Sequence, residues 1–158
     1  MSNMIQNAKD QVLALTEKAY QAAAAAGRLP GDVSVRAGVE IPKDPANGDY
    51  TTTFALAAAK AMKMRPRDIA EILLENLDLA GSYFASAEIA GAGFLNFRLG
   101  SSWFEGVLSA VDSEGAAYGR SDVLKGQSIM VEFVSANPTG PMHMGNARGG
   151  VLGDTLAS

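Results

Sequence analysis

Cysteine is absent from this sequence of 158 residues, and histidine occurs once, at His143. Disulfides and thiolate chemistry are thereby excluded, and a single imidazole gives no basis for a conventional zinc site. No apolar run is long enough to span a bilayer, and the N-terminus, MSNMIQNAKD, lacks the basic-then-apolar order of a signal peptide. A cytoplasmic chain with no membrane partner is therefore expected. Basic residues are in the minority, 13 against 17 acidic, and the net charge of -4 argues against indiscriminate binding to DNA or other nucleic acid. A local basic face is still compatible with it. Also missing are G-x-x-x-x-G-K-[ST] and G-x-G-x-x-G, which removes most of the weight from P-loop and dinucleotide readings.

What is present centres on residues 128–154, SIMVEFVSANPTGPMHMGNARGGVLGD. The apolar run Ile129-Met130-Val131, continuing through Glu132-Phe133-Val134, predicts a buried strand. Pro138, Gly140 and Pro141 then break regular structure, since each proline removes a backbone donor and restricts the residue before it. His143-Met144-Gly145-Asn146 leads into residues 147–157, which read as a helix with one small-residue face. Strand, tight loop and helix start form a phosphate-binding arrangement, with unpaired N–H groups and the positive end of the dipole at its mouth. For His143 the plain alternative is a helix cap. The sequence ends at Ser158, within that helix, and one strand with one helix cannot close a parallel sheet, so a truncated domain is expected.

Upstream, Ile5, Ala8, Val12, Leu15, Ala19, Ala22 and Ala23 recur at helical spacing and predict an amphipathic helix to about Ala26, ended by Gly27 and Pro30. Val39–Ile41 reads as a short strand, followed by a loop punctuated by Pro42, Pro45 and Asn47-Gly48. Asp49-Tyr50-Thr51 reads as the approach to a helix through Phe54 and Met62, and a third helix starts at Pro66 with Ile69, Ile72, Leu73 and Leu77 inward. Lys60, Lys63, Arg65 and Arg67 lie between these helices. They read either as a solvated face or as a phosphate-facing patch.

Residues 83–90 and 94–99 read as a hairpin turning at Gly91-Ala92-Gly93. Leu95, Phe97 and Leu99 fall on one face and belong to the core; Phe94, Asn96 and Arg98 fall on the other. A ring that stacks on a base, an amide that reads a base edge and a cation for phosphate suit single-stranded RNA. An ordinary half-exposed edge strand fits the pattern equally. Ser102-Trp103-Phe104-Glu105 reads as a capping box opening a helix to about Val111, with Trp103 and Val107 packed back on the sheet. Residues 112–127 have linker composition.

These segments together carry a resemblance. VEFVSANPTGPMHMGNARGG resembles the nucleotide-binding stretch around the His-Ile-Gly-His motif of arginyl-tRNA synthetases, which are class I aminoacyl-tRNA synthetases. VEIPKDPANGDYTTTFALA and EIAGAGFLNFRL resemble two pieces of that family's N-terminal additional domain. The implied fold class is an α+β additional domain, an antiparallel sheet with helices, over residues 1–111. A linker over 112–127 follows, then the first strand-loop-helix of a truncated Rossmann-like α/β catalytic domain over 128–158.

The implied activity is arginine–tRNA ligation: activation of arginine with ATP, release of pyrophosphate and transfer to tRNA(Arg), with this fragment inactive alone. ATP enters as substrate, with magnesium expected alongside it and no bound metal or organic cofactor. By position, His143 and Asn146 resemble the catalytic motif, and Pro141, His143, Gly145 and Asn146 the ATP site. Glu132, Ser135 and Asn137 resemble the residues that hold arginine. The motif region covers Ala136, Asn137, Pro138, Thr139, Gly140, Pro141, Met142, His143, Met144, Gly145 and Asn146. Asn146 stands where many members carry a second histidine. Phe94 and Asn96, with Arg98 beside them, resemble the tRNA D-loop grip. KAMKMR, residues 60–65, is not the family's KMSKS-type motif, since it lies in a helical region too early in the chain. The alternatives are a stand-alone tRNA-binding module without catalysis and, against the weight of the first 111 residues, a small nucleotidyltransferase.

Overall fold

The first helix, α1 (Met4–Ala25), buries Met4, Ala8, Val12, Thr16, Ala19, Tyr20 and Ala23. Ile5 and Ala22, expected inward, are exposed, and Thr16 and Tyr20 take the inward positions instead. Both tolerate burial because their hydroxyls are satisfied: Thr16 Oγ1 donates to the Val12 carbonyl, and Tyr20 donates to the Pro30 carbonyl while accepting from Val33 N–H. Gly27, at φ 69°, ends the helix as expected, with Gly27 N–H donating to Ala24 O and Arg28 N–H to Ala23 O. That pair of bonds satisfies carbonyls the last turn leaves open.

The computed structural model describes residues 4–137 and 139–158. They form two compact units, one through Arg120 and one from Ser121. The first carries a four-stranded antiparallel sheet ordered β1-β2-β4-β3, from β1 (Val39–Glu40), β2 (Tyr50–Thr52), β3 (Phe84–Ala90) and β4 (Phe94–Leu99). Helices α2 (Phe54–Met62), α3 (Pro66–Glu75) and α4 (Ser101–Glu114) complete it. One core cluster joins α1, α2 and α3 around Ala19, Tyr20, Phe54, Met62, Ile69 and Leu73. A second joins α1 to the sheet around Val12, Tyr50, Phe84, Leu95 and Phe97.

Three expectations are corrected here. Tyr50–Thr52 is a strand, not the approach to α2, and all three residues are buried between β1 and β4. Three residues are too few to show alternation in sequence, and the pairing that makes them a strand comes from a partner some 45 positions on. Gly100 is the N-cap of α4, with no side-chain bond, so the expected capping box does not form. Ser102 Oγ instead donates to the Ser82 carbonyl and ties α4 to the start of β3. The helix runs on to Glu114, so the first residues of the expected linker are helical. Trp103 packs against the second core cluster as expected, its indole N–H donating to Met4 O. Among the described residues no helix is long and apolar enough to cross a membrane.

The second unit contains one helix, α5 (Met144–Ala157), which begins a turn earlier than the small-residue face suggests. The strand expected over 129–134 is not formed: Ile129 is 60% and Met130 93% exposed. A buried parallel strand needs hydrogen-bonding neighbours, and no segment of this unit supplies them. Val134 takes φ 56°, unusual for a β-branched residue, and the chain turns there as Ala136 N–H donates to Val134 O. Phe133 rests on α5 at Gly153, where an added Cβ would lie 2.0 Å from the ring; Val134 meets Gly150. The small-residue face of α5 thus receives the side chains of the unformed strand.

Candidate nucleic-acid interface and phosphate loop

The hairpin of β3 and β4 is as the sequence predicts, turning at Gly91-Ala92-Gly93 with Gly93 N–H donating to Ala90 O. Its tip is fixed on α3. Gly93 sits at φ 135° with an ideal Cβ only 2.8 Å from the Pro66 backbone, so a side chain there would strike the helix start. Arg67 donates to Gly91 O at 3.3 Å and pairs with Glu71, while Arg65 pairs with Asp68, which raises the pKa of that guanidinium. Two of the four cations, Arg65 and Arg67, are therefore committed to neighbours. Lys60 and Lys63 are exposed and make no ion pair among the described residues.

Strand β4 lies between β2 and β3, not at an edge. Leu95 and Phe97 are buried and Leu99 is half-buried, as the alternation requires. On the opposite face Phe94 and Arg98 are exposed, but Asn96 is only 2% exposed. The cause is the segment 40–47, which folds over that face. With Thr51, Ala90, Gly91, Phe94 and Asn96, its residues Glu40, Ile41, Pro42, Lys43 and Asn47 enclose a cavity of about 520 Å³. The register puts Asn96 opposite Thr51 on one side and Glu88 on the other, at the centre of the floor. Thr51 Oγ1 turns away, to Leu95 O. The Asn96 side chain makes no hydrogen bond among the described residues and lines the cavity, while the fully buried polar side-chain atom left without a partner is Thr52 Oγ1. Sequence reasoning missed Asn47 and Thr51 as walls. The signal available was the Pro- and Gly-punctuated loop, but nothing in it tells which face of the sheet it will cover.

Arg98 is placed differently from Phe94 and Asn96. It does not line the cavity; its guanidinium donates to Ala46 O and, at 3.1 Å, to Glu88.

In the second unit, His143 is the N-cap of α5 and is exposed. Its Nδ1 accepts from Gly145 N–H at 3.1 Å, and its own N–H donates to Asn146 Oδ1 at 3.0 Å, a reciprocal box. The spacing His-x-x-Asn was the available signal, a variant of the Ser/Thr-x-x-Glu box. With Nδ1 accepting, the ring proton belongs on Nε2. Ser135, Ala136, Asn137, Thr139, Gly140, Pro141, Met142, His143 and Asn146 line a cavity of about 370 Å³. That lining holds no carboxylate, so the loop suits a ligand that brings its own negative charge. Glu132, Met144 and Gly145 are not among its walls, and Glu132 is exposed. Pro138, in the predicted motif region, lies outside the described residues. A Cβ on Gly145 would fall 2.9 Å from His143 Cε1, so the glycine makes room for the imidazole.

Three comparisons bear on these sites. Residues 8–99 match the family described as the arginyl tRNA synthetase N terminal domain. Over 158 residues the chain is 44% identical to an arginine–tRNA ligase of Acetivibrio thermocellus, covering 100% of this chain and 28% of the relative. Over 134 residues it is 52% identical to an arginine–tRNA ligase of Paracoccus denitrificans, covering 84% of this chain and 23% of the relative. In fold it is similar to a crystal structure of arginyl-tRNA synthetase from Plasmodium falciparum, with a TM-score of 0.53 and 17% identity over 94% of this chain and 27% of that one. The chain thus spans about a quarter of the length of the relatives it matches.

Proposed function

Because the chain belongs to the arginyl-tRNA synthetase family, we propose that it works in the ATP-dependent ligation of arginine to tRNA(Arg) in the cytoplasm. The first unit, through Arg120, grips the tRNA, and residues 128–158 open a Rossmann-like catalytic domain whose first strand forms once its neighbours are present. The observation that carries this reading is the Asn96 amide, buried on the cavity floor without a protein partner, with Phe94 at the rim.

A base of the tRNA D-loop enters that cavity, stacks on Phe94 and meets Asn96 with its polar edge. An amide that lines a cavity and carries both donors and an acceptor can pair with the complementary edge of a base. Lys43 on the wall meets the RNA backbone. In the loop, the cap on Gly145 orients the His143 ring and leaves Nε2–H as a donor for ATP phosphates. This is stabilisation of developing charge rather than nucleophilic attack. Asn146 holds His143 in that pose. Ser135 and Asn137 face the same cavity and suit the arginine carboxylate and amino ends, with Glu132 brought in by strand formation. Gly145 and Pro141 shape the adenosine side.

Among the described residues no cluster of three or more acidic or imidazole groups could hold a metal. Magnesium would accompany the ATP phosphates and supply positive charge there. The test is ATP–pyrophosphate exchange with arginine and tRNA, run on a polypeptide of the relatives' length beginning with these 158 residues. Exchange is expected, and His143→Ala should lower it by about 10²–10³-fold, the usual cost of removing one such donor. No exchange, or exchange indifferent to His143→Ala, would contradict the proposal.

A further inference from the structure

We propose that Arg98 is a positioning residue for the base cavity and not itself a phosphate contact; this rests on the base-gripping reading above. Alternation alone groups Arg98 with Phe94 and Asn96, on one face of β4. Its guanidinium, however, is committed within the protein. One nitrogen donates both to the Ala46 carbonyl and to Glu88 Oε1. Ala46 is the centre of the turn Pro45–Asn47, and Lys43 and Asn47 on either side of it are cavity walls.

The other bonds of that turn are local: Ala46 N–H to Asp44 Oδ1, Asn47 N–H to Asp44 O and Gly48 N–H to Pro45 O. Among the described residues, the chain is next hydrogen-bonded to the sheet where Asp49 N–H donates to Phe97 O and Asp49 Oδ2 accepts from Leu99 N–H. Gly48, at φ 92° and with an ideal Cβ 2.8 Å from Phe97 O, sets the point where the loop leaves the sheet. Between that point and β1 the turn is a lever, and Arg98 ties its middle to β4. Glu88, on β3, aims the guanidinium and cancels its charge. Both side chains are substantially exposed, at 44% and 56%. Such a pair adds little to stability, so its loss should be felt in the loop rather than in the fold.

A phosphate contact and a loop clamp differ in salt dependence. Each phosphate neutralised adds about 0.7–0.9 to the slope of log K against log salt. The experiment titrates the 158-residue chain with an unmodified tRNA(Arg) transcript carrying 2-aminopurine at one D-loop position, over a range of salt, with thermal unfolding alongside. Arg98→Met is expected to weaken binding about tenfold at every salt concentration with unchanged slope, to lose the stacking quench of 2-aminopurine, and to shift Tm by no more than about 2 °C. Glu88→Gln separates the readings by sign. A clamp weakens when its aim is lost, whereas a phosphate-binding Arg98 released from its carboxylate would bind tighter with a steeper slope.

A shallower slope in Arg98→Met, tighter binding in Glu88→Gln, or affinity and quench unchanged in both overturns the proposal. Should Arg98→Met fail to fold, Glu88→Gln decides alone. Phe94→Ala is the control for the underlying reading. If it leaves affinity and quench intact, the base cavity itself is refuted and this inference falls with it. If it weakens both and the Arg98 and Glu88 variants do not, only the clamp is refuted.

Discussion

At the scale of one residue, the proposed role of Asn96 as a base contact differs from that of a structural amide. A buried amide normally bonds to backbone or side chain, because leaving it unpaired costs about 1–3 kcal/mol. The Asn96 side chain makes no hydrogen bond among the described residues and faces a cavity. Asn96→Leu removes no protein hydrogen bond, so thermal unfolding of this variant should be unchanged or slightly raised, while tRNA affinity falls about 10–100-fold. A loss of stability would show that the amide is structural after all. Its face was legible from the alternation along β4; its burial was not, since that depends on the loop 40–47 from a distant part of the chain.

His143 makes the opposite case. The sequence left open whether it was a cap or a ligand-facing ring, and the geometry uses one ring nitrogen as a cap while the ring lines a cavity. Gly145→Ala should displace the imidazole, since the new Cβ has 2.9 Å where ordinary contact needs more. Loss of a cap costs about 1 kcal/mol. The amide of residue 145 should then exchange faster with solvent by roughly fivefold; unchanged exchange would mean the ring simply steps aside.

Helices and strands were legible to the degree that their pattern is local. The hairpin, α1, α2 and α3 follow from periodicity and from Gly and Pro punctuation, and they lie where the sequence puts them. Strand β2 was hidden because its evidence is a register with β4 rather than a run of its own. Tyr50 in that strand has its pKa raised above 10.0, first by burial and then by Asp49. The unfolded tyrosine ionises near its ordinary value while the folded one resists. Its contribution is therefore complete below about pH 10 and is lost as pH rises through the folded pKa. Tyr50→Phe should flatten the fall of Tm above pH 10; parallel curves for the two proteins would contradict this.

In α5 two glycines make a paired test. Gly149 has open space around an added Cβ, so Gly149→Ala should stabilise the helix by about 1 kcal/mol through propensity alone. Gly153→Ala gains the same propensity but drives a Cβ to 2.0 Å from Phe133, and overpacking of about 1–3 kcal/mol should outweigh it. Circular dichroism melts read both, and equal effects would mean that Phe133 does not rest on the helix.

At the scale of the molecule, the two units differ in what completes them. The first has its own core, formed by α1 with the sheet and with α2 and α3. The second exposes Ile129 and Met130 and holds its loop cavity on a single helix. The sequence pattern predicted a buried strand at 129–134, and it is not formed, because a strand depends on hydrogen-bonding neighbours that a local pattern does not supply. Membership of the arginyl-tRNA synthetase family and the span of about a quarter of its relatives give that segment its context.

The central claim is that the cavity under the 40–47 loop holds a tRNA base. The direct measurement is a binding titration of the 158-residue chain with two tRNA(Arg) transcripts, one intact and one abasic at the D-loop position. A stacked base contributes about 1–3 kcal/mol, so the intact transcript should bind roughly 5–150-fold tighter. Phe94→Ala should erase most of that difference. Equal affinity of the wild-type chain for the two transcripts, at every D-loop position tried, would contradict the claim.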